Sequence, residues 1–108
     1  MNTGLIVNDI LQKIDKVTDE SDHLMSRILV KFNNGYGLSV IRGPFSYGGR
    51  SGLFEIAIMD SLDEFCTKRL NFIRFGEYLN DNVIGWLSDN NVKGWAVYIA
   101  DLPFMEAR

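Results

Sequence analysis

The chain has 108 residues, of which 46% are hydrophobic and 23% charged, and its formal net charge is −3. This composition predicts one soluble globular domain, spanning residues 1–108, with a core that needs neither disulfides nor a metal. A lone cysteine excludes an internal disulfide. The sequence shows no signal-peptide pattern, which argues against secretion, and no apolar run long enough for a membrane span. We therefore expect a cytoplasmic protein.

The first segment has the periodicity of an amphipathic helix. Apolar residues recur at spacings of four, four and three, in the set Ile6, Ile10, Ile14 and Val17. Such spacing places the side chains on one face of a helix. We expect this helix to end in the polar cluster 18–22 and to cover a sheet, although packing against a partner helix would use the same stripe.

The middle of the chain reads as an antiparallel meander. Apolar residues alternate with mixed residues in 28–32, 36–41 and 53–58, which is typical of strands with one covered face. Asn34-Gly35 lies between the first two runs and predicts a type I′ hairpin turn. The polar segment 60–64 predicts a further turn, and a fourth strand is expected within Phe65–Leu70 or Phe72–Phe75.

The last part of the chain has a helical character. Asn80 or Asp81 can cap a first helix that contains Val83, Ile84, Trp86 and Leu87. Ser88 or Asp89 can cap a second helix, with an apolar face formed by Val92, Trp95, Ala96, Ile99 and Leu102 and with an end before Pro103. Both tryptophans are expected to be core anchors. The predicted class is α+β: an N-terminal helix, an antiparallel sheet of about four strands, and C-terminal helices packed on one face.

The connection 43–52 is the candidate binding segment, because it combines glycines with aromatic and arginine side chains. It matches neither of the glycine-rich phosphate-binding patterns, G-x-x-x-x-G-K-[ST] or G-x-G-x-x-G. Tyrosine, phenylalanine and arginine are, however, residue types that supply interface hot spots. The predicted binding residues are Arg42, Phe45, Tyr47, Gly48, Gly49 and Arg50. In a competing interpretation, the glycines and aromatics only brace a tight loop.

The residues that could carry chemistry do not form a recognisable catalytic set. His23 is the only histidine, and without Cys or His companions it is a poor metal ligand. Ser46 and Ser51 have no identifiable base. Cys66, near Lys68 and Arg69, is either a thiol of lowered pKa or, more commonly for this residue type, a small buried hydrophobe. We predict a non-enzymatic protein without cofactor or metal.

Nucleic-acid or nucleotide binding is the alternative function. Residues 27–74 carry seven Lys or Arg against four Asp or Glu, whereas both flanking segments are acidic. Phe45 or Tyr47 could stack on bases while cations meet phosphates. The cations of that hypothesis are Lys31, Arg42, Arg50 and Arg74. The acidic pI of about 5.0 argues against nucleic-acid binding. The charge pattern is also explained if the basic and acidic parts of one fold complement each other in charge.

Two stretches of the chain read NGYGLSVIRGPFSYGGRSGLFEIAIMD at 34–60 and NVIGWLSDNNV at 82–92. They resemble a group of small tailed-bacteriophage proteins without an assigned activity. Members of the group carry NGYG-x-SV, SYGG, GL-[WFY]-E-[LI]-A and a later D-x-V-x-G-[WY]-L segment followed by a helix. Residues 66–79 and the N-terminal segment lie outside the match. The resemblance implies a phage-encoded accessory protein in the cytoplasm of the infected bacterial host, with a host or phage protein as its partner.

Overall fold

The fold is built on one five-stranded antiparallel sheet, seen in a computed structural model that describes residues 10–104. The strands lie in sequence order across the sheet. They are β1 (Ile14–Asp19), β2 (Ser26–Phe32), β3 (Gly37–Arg42), β4 (Phe54–Met59) and β5 (Ile84–Leu87). Helix α1 (Thr67–Phe75) connects β4 to β5, helix α2 (Asp89–Ala100) follows β5, and short 3-10 helices occupy Leu11–Lys13 and Gly49–Ser51. The predicted α+β class is therefore confirmed.

One face of the three central strands forms the core. The side chains that alternate onto this face are all buried, as the sequence predicts: Ile28, Val30, Phe32, Leu38, Val40, Phe54, Ile56 and Ile58. They meet directly across the strands, for example Val40 against Ile56 and Val30 against Leu38. Helix α2 completes the core with Val92, Trp95, Ala96, Ile99 and Ala100.

Helix α2 confirms the second predicted C-terminal helix and its cap. The Ser88 hydroxyl accepts the Asn91 N–H, and the Asn91 side chain accepts the Ser88 N–H, which satisfies donors that the first turn leaves free. Trp95 is 3% exposed and is the core anchor expected from the sequence. The helix therefore begins where its cap directs and buries the face that its periodicity predicts.

The hairpin between β2 and β3 differs from the predicted type I′ turn. That turn requires positive φ at both central residues, yet only Gly35 in this connection has one, at 95°. The Gly35 N–H donates to Phe32 C=O, and the Phe32 N–H donates to Tyr36 C=O. Gly35 therefore adopts the left-handed conformation at the end of a three-residue loop.

The side chain of Asn34, in this loop, connects the hairpin to α2. Its Nδ2 donates to Ile99 C=O at 2.7 Å and to Leu102 C=O at 3.0 Å, while its Oδ1 accepts the Tyr36 N–H. The last carbonyls of a helix have no partners within the helix. Asn34 thus caps the C-terminus of α2 from a distant part of the chain.

The predicted N-terminal helix is wrong over the part of it that the structure describes. Ile6 lies outside the described residues. From Ile10 the chain passes through the 3-10 helix Leu11–Lys13 into β1, an edge strand. The sheet therefore gains a strand where the periodicity indicated a helix.

A β-bulge explains why the apolar residues of β1 have the spacing of a helix. Ile14 pairs with Phe32 and Val17 pairs with Val30, with a register shift after Ile14. The bulge inserts one extra residue, so residues three apart face the same side of the sheet. Ile14 and Val17 accordingly both pack against the core.

The predicted fourth strand within 65–75 is also wrong, because this segment contains α1. The helix buries Thr67, Leu70 and Asn71 and leaves Phe72, Ile73 and Phe75 largely exposed. Thr67 Oγ1 accepts the Ile58 N–H at 2.8 Å, which anchors the helix start to β4. Three of the four large apolar residues of the helix therefore lie off its buried side, and no regular period was available to predict it. The polar turn at 60–64 is confirmed, with the Asp60 N–H donating to Glu64 C=O.

The first predicted C-terminal helix is replaced by strand β5. Leu87 pairs with Phe54 and Ile84 pairs with Ile56, so three steps along β5 match two along β4. This second bulge again puts residues three apart on the core side. Gly85 and Trp86 both lie opposite Glu55, and Trp86, at 63% exposure, is not the predicted core anchor.

Replacement of Asn34 should destabilise the fold without disturbing the strand pattern. We expect Asn34→Ala to lower the free energy of unfolding by about 1–3 kcal/mol, because the carbonyls at the end of α2 lose their Nδ2 donor in a partly buried place. Urea unfolding followed by far-UV circular dichroism measures this. Asn80→Ala, an exposed control whose side chain makes no hydrogen bond within residues 10–104, should stay within about 0.5 kcal/mol. Equal effects of the two changes would contradict the capping role.

Candidate functional site

The connection from Gly43 to Leu53, called the aromatic loop below, is closed by its own hydrogen bonds. Ser46 Oγ accepts the Gly43 N–H and donates to Gly43 C=O. Gly48 C=O accepts N–H groups from Ser51 and Leu53 across the 3-10 helix. Because the backbone groups are paired internally, the loop has a defined shape rather than an open, flexible one.

Contacts between backbones fasten the aromatic loop to β5. The Trp86 N–H donates to Tyr47 C=O at 3.1 Å. A Cβ added at Gly85 would lie 2.2 Å from the Tyr47 Cβ, and one added at Gly48 would lie 2.9 Å from the Trp86 Cα. Side chains at these two positions would push the loop away from the strand. The glycines are therefore required for the loop to lie against β5.

Gly49 is required inside the loop for the same steric reason. A Cβ there would lie 1.8 Å from the Gly43 carbonyl oxygen. Gly48 differs in having a positive φ of 85°, which glycine adopts at no steric cost. The two glycines of SYGG thus have a structural role in the predicted binding segment.

Trp86 has an uncommon backbone conformation for a bulky residue. Its φ is 58°, in the left-handed region that disfavours side chains larger than glycine. The bulge in β5 and the hydrogen bond to Tyr47 hold it there. The result is an indole that projects away from the core. Strained residues of this kind occur often at ligand-binding positions.

A groove of about 180 Å³ lies between the aromatic loop and Trp86. It collects three of the six predicted binding residues, and its lining consists of Pro44, Ser46, Tyr47, Gly48, Arg50, Ser51 and Trp86. Tyr47 is 55% exposed. Arg50 donates from Nε to Pro44 C=O at 3.3 Å and remains exposed. This groove is the candidate site.

The backbone of Tyr47 is fixed from two sides. Its N–H donates to Glu55 Oε1 at 3.0 Å, and its carbonyl accepts the Trp86 N–H. Glu55 lies on β4, next in the chain to the aromatic loop. The rings of Tyr47 and Trp86 are therefore presented from a backbone that is already ordered.

The remaining predicted residues lie outside the groove. Phe45 is 82% exposed and borders a different depression of about 410 Å³, beside the connection from β1 to β2. In that connection Asp22 accepts N–H groups of Leu24 and Met25, which lower the pKa of its carboxyl. Arg42 is half-buried over the ring of Phe54, with its Cζ 4.9 Å from the ring centroid. Arg42 thus has a packing contact of its own.

The cations of the nucleic-acid hypothesis do not share one surface. Lys31 points away from the helix-covered face of the sheet and pairs with Asp63 at 2.5 Å. Arg74 lies on α1, among aromatic rings on the helix side. The electrostatic footprint that a polyanion needs is a cluster or stripe of basic residues, and these four positions are spread over three separate elements and the loop.

The other candidate chemical residues are placed as follows. Burial raises the pKa of the Cys66 thiol despite the nearby Arg69, which contradicts a thiol of lowered pKa and confirms the small buried hydrophobe. His23 is exposed in the connection before β2. Within residues 10–104, no three His, Cys, Asp or Glu side chains group as metal ligands, and no helix is long and apolar enough to cross a bilayer.

Trp86 is the site residue that the sequence analysis missed, because it was expected in the core and lies on the surface. Its neighbours Ile84 and Leu87 stand three apart, so the segment resembles a helical face. The available signal was Gly85, because a glycine within a strand often marks a bulge or a close backbone approach. Both conditions hold at this position.

Comparison of the chain with protein-family models, with curated proteins and with solved structures finds no match.

The two tryptophans should respond oppositely to truncation. We expect Trp86→Gly to change the free energy of unfolding by less than about 1 kcal/mol, because relief of the positive φ offsets the greater chain entropy of glycine. Trp95→Ala should cost about 3–5 kcal/mol, because it empties a core position. Thermal and urea unfolding of both variants measure the difference. A large loss for Trp86→Gly would contradict the surface placement of the indole.

The glycines of the aromatic loop should differ according to the space around them. We expect Gly49→Ala to lower the free energy of unfolding by about 3 kcal/mol, because its Cβ meets a carbonyl oxygen. Gly52 has φ 76° but no atom within 4 Å of an added Cβ, so Gly52→Ala should cost only about 1 kcal/mol. Urea unfolding compares them, and the reverse order would refute the steric argument.

Proposed function

We propose that this chain is a non-enzymatic binding module that recognises a protein partner through the groove between the aromatic loop and Trp86. The observation that carries the proposal is the pairing of two exposed aromatic rings, Tyr47 and Trp86, with the exposed Arg50 around one groove. Tryptophan, tyrosine and arginine dominate the binding energy of protein interfaces.

The ordered backbone of the groove supports this proposal. Binding loses free energy when flexible side chains and loops must be ordered. Here the loop is internally hydrogen-bonded, and Trp86 is held by the bulge and by Tyr47. The aromatic rings therefore start from a fixed backbone, and less free energy is lost on association. The rings of Tyr47 and Trp86 are exposed and are not needed to fill the core.

The resemblance to tailed-bacteriophage proteins supplies the biological setting of the proposal. The matched motifs include SYGG in the aromatic loop and the G-[WY]-L segment that contains Trp86. We place the protein in the cytoplasm of the infected bacterium as a phage accessory protein. Its partner is a host or phage protein, and binding would inhibit a host function or defence.

The experiment compares matched surface variants in affinity purification from phage-infected bacteria. Tagged wild-type protein, Tyr47→Ala, Trp86→Gly and Tyr78→Ala are used as baits after nuclease treatment. Tyr78 is a tyrosine with 86% exposure that lies outside the groove, so its variant is the control. We expect a stoichiometric protein partner with the wild type and the control. Affinity of the purified partner should fall by about thirtyfold in each groove variant, as for a hot-spot residue.

The salt dependence separates this proposal from its alternative. Equal partner affinity for wild type and both groove variants would contradict the groove as the interface. Recovery of nucleic acid alone, without nuclease treatment and lost steeply as salt rises, would favour nucleic-acid binding instead. A protein partner held mainly by aromatic contacts should remain bound over the same salt series.

A further inference from the structure

A second cleft, of about 330 Å³, lies between α1, β5 and the first half of α2. Its volume is at the lower end of the range of about 300–1,000 Å³ for small-molecule sites. The lining combines apolar and polar side chains: Asn71, Arg74, Phe75, Glu77, Ile84, Leu87, Asn90, Asn91, Gly94 and Trp95. None of these residues belongs to the groove beside the aromatic loop.

Arg74 is the central side chain of this cleft. Its Cζ lies 4.6 Å from the ring centroids of Phe75 and Trp95 and 5.1 Å from that of Tyr98. Such contacts orient a guanidinium by cation–π attraction. The guanidinium also lies close to α2, since a Cβ added at Gly94 would be in ordinary contact with Arg74 Nη2, at 3.5 Å. The cation is therefore positioned by its surroundings rather than mobile in solvent.

The N–H groups of Arg74 lack protein acceptors in the described part of the chain. No carboxylate of residues 10–104 lies within ion-pair distance of the guanidinium, and none of its nitrogens donates a hydrogen bond there. Arg74 is half-buried, and this burial lowers the pKa of its guanidinium. Aromatic faces attract the cation but do not replace the oxygen acceptors of its five donors. A positioned guanidinium whose donors meet no acceptor within residues 10–104 is suited to an external anion.

The charges around the cleft favour a monoanion over a dianion. Glu77 lines the cleft, and Asp89 lies in the first turn of α2. These acidic groups oppose a dianionic phosphate, whereas one carboxylate matches the single charge of Arg74. Arginine binds carboxylates through two parallel hydrogen bonds. Ile84 and Leu87 offer an apolar wall to the rest of such a ligand.

We infer that this cleft binds a small molecule that joins one carboxylate to an apolar body, with Arg74 holding the carboxylate. Asn90 and Asn91 stand at the polar side of the same cleft and can add hydrogen bonds to it. The site is separate from the proposed protein-binding groove and does not depend on it.

Proton–nitrogen correlation NMR of the full chain, titrated with benzoate, tests the site. We expect saturable shifts at the Trp95 indole and the Gly94 amide, with a dissociation constant of about 1 mM or tighter. Benzamide, which has the same shape without the charge, should not produce them. Arg74→Lys keeps the charge but removes the two-pronged hydrogen bonding, and it should weaken benzoate binding by at least about tenfold. Arg69→Lys, on the exposed part of α1, is the matched control and should bind as the wild type does.

The NMR titrations either support or overturn the proposed carboxylate site. Benzoate binding that is lost in the folded Arg74→Lys variant and kept in Arg69→Lys supports it. Absence of saturable shifts, or equal shifts with benzamide, would overturn it. Stronger binding of inorganic phosphate than of benzoate at the same signals would overturn the choice of a monocarboxylate.

Discussion

The rest of the structure depends on the burial of one continuous apolar face of β2, β3 and β4 under helix α2. Each fully buried aliphatic side chain of this face contributes about 1.5–3 kcal/mol relative to exposure. The strands pair in one register only, because a slip of one residue would turn this whole face to solvent. Asn34 adds a polar link, since it ties the hairpin of the buried strands to the end of α2.

The edge strands of the sheet, β1 and β5, are less regular than its central strands. Both β1 and β5 contain a bulge and bury only part of their side chains. Bulges at sheet edges bend a strand and redirect a side chain, and they are frequent beside functional sites. In β5 the redirected residue is Trp86, and the aromatic loop packs against it through glycine contacts. The proposed protein-binding groove is thus a product of an irregular edge supported by a regular core.

The two proposed sites use different physical means to prepare a surface for a ligand. At the aromatic loop, backbone hydrogen bonds and close glycine contacts fix the positions from which Tyr47 and Trp86 project. In the second cleft, aromatic rings position the charge of Arg74, whose donors have no acceptor among residues 10–104. Both arrangements reduce the ordering that binding requires. Both sites use β5 but share no lining residue, so a side chain of one can be altered without removing a side chain of the other.

The sequence by itself determined the central strands, their buried face and helix α2. Alternation at a period of two and a capping residue before a helical face are local patterns, and nearby residues suffice to produce them. It also indicated the aromatic loop as a candidate surface, through Tyr47 and Arg50. The tertiary structure decided the two edge strands and the exposure of Trp86. A bulge places residues three apart on one side of a strand, so Ile14 and Val17, like Ile84 and Leu87, imitate a helix until the neighbouring strand sets their register. Arg74 likewise became a candidate site only where α1 and α2 meet, because its aromatic neighbours Trp95 and Tyr98 are distant in sequence.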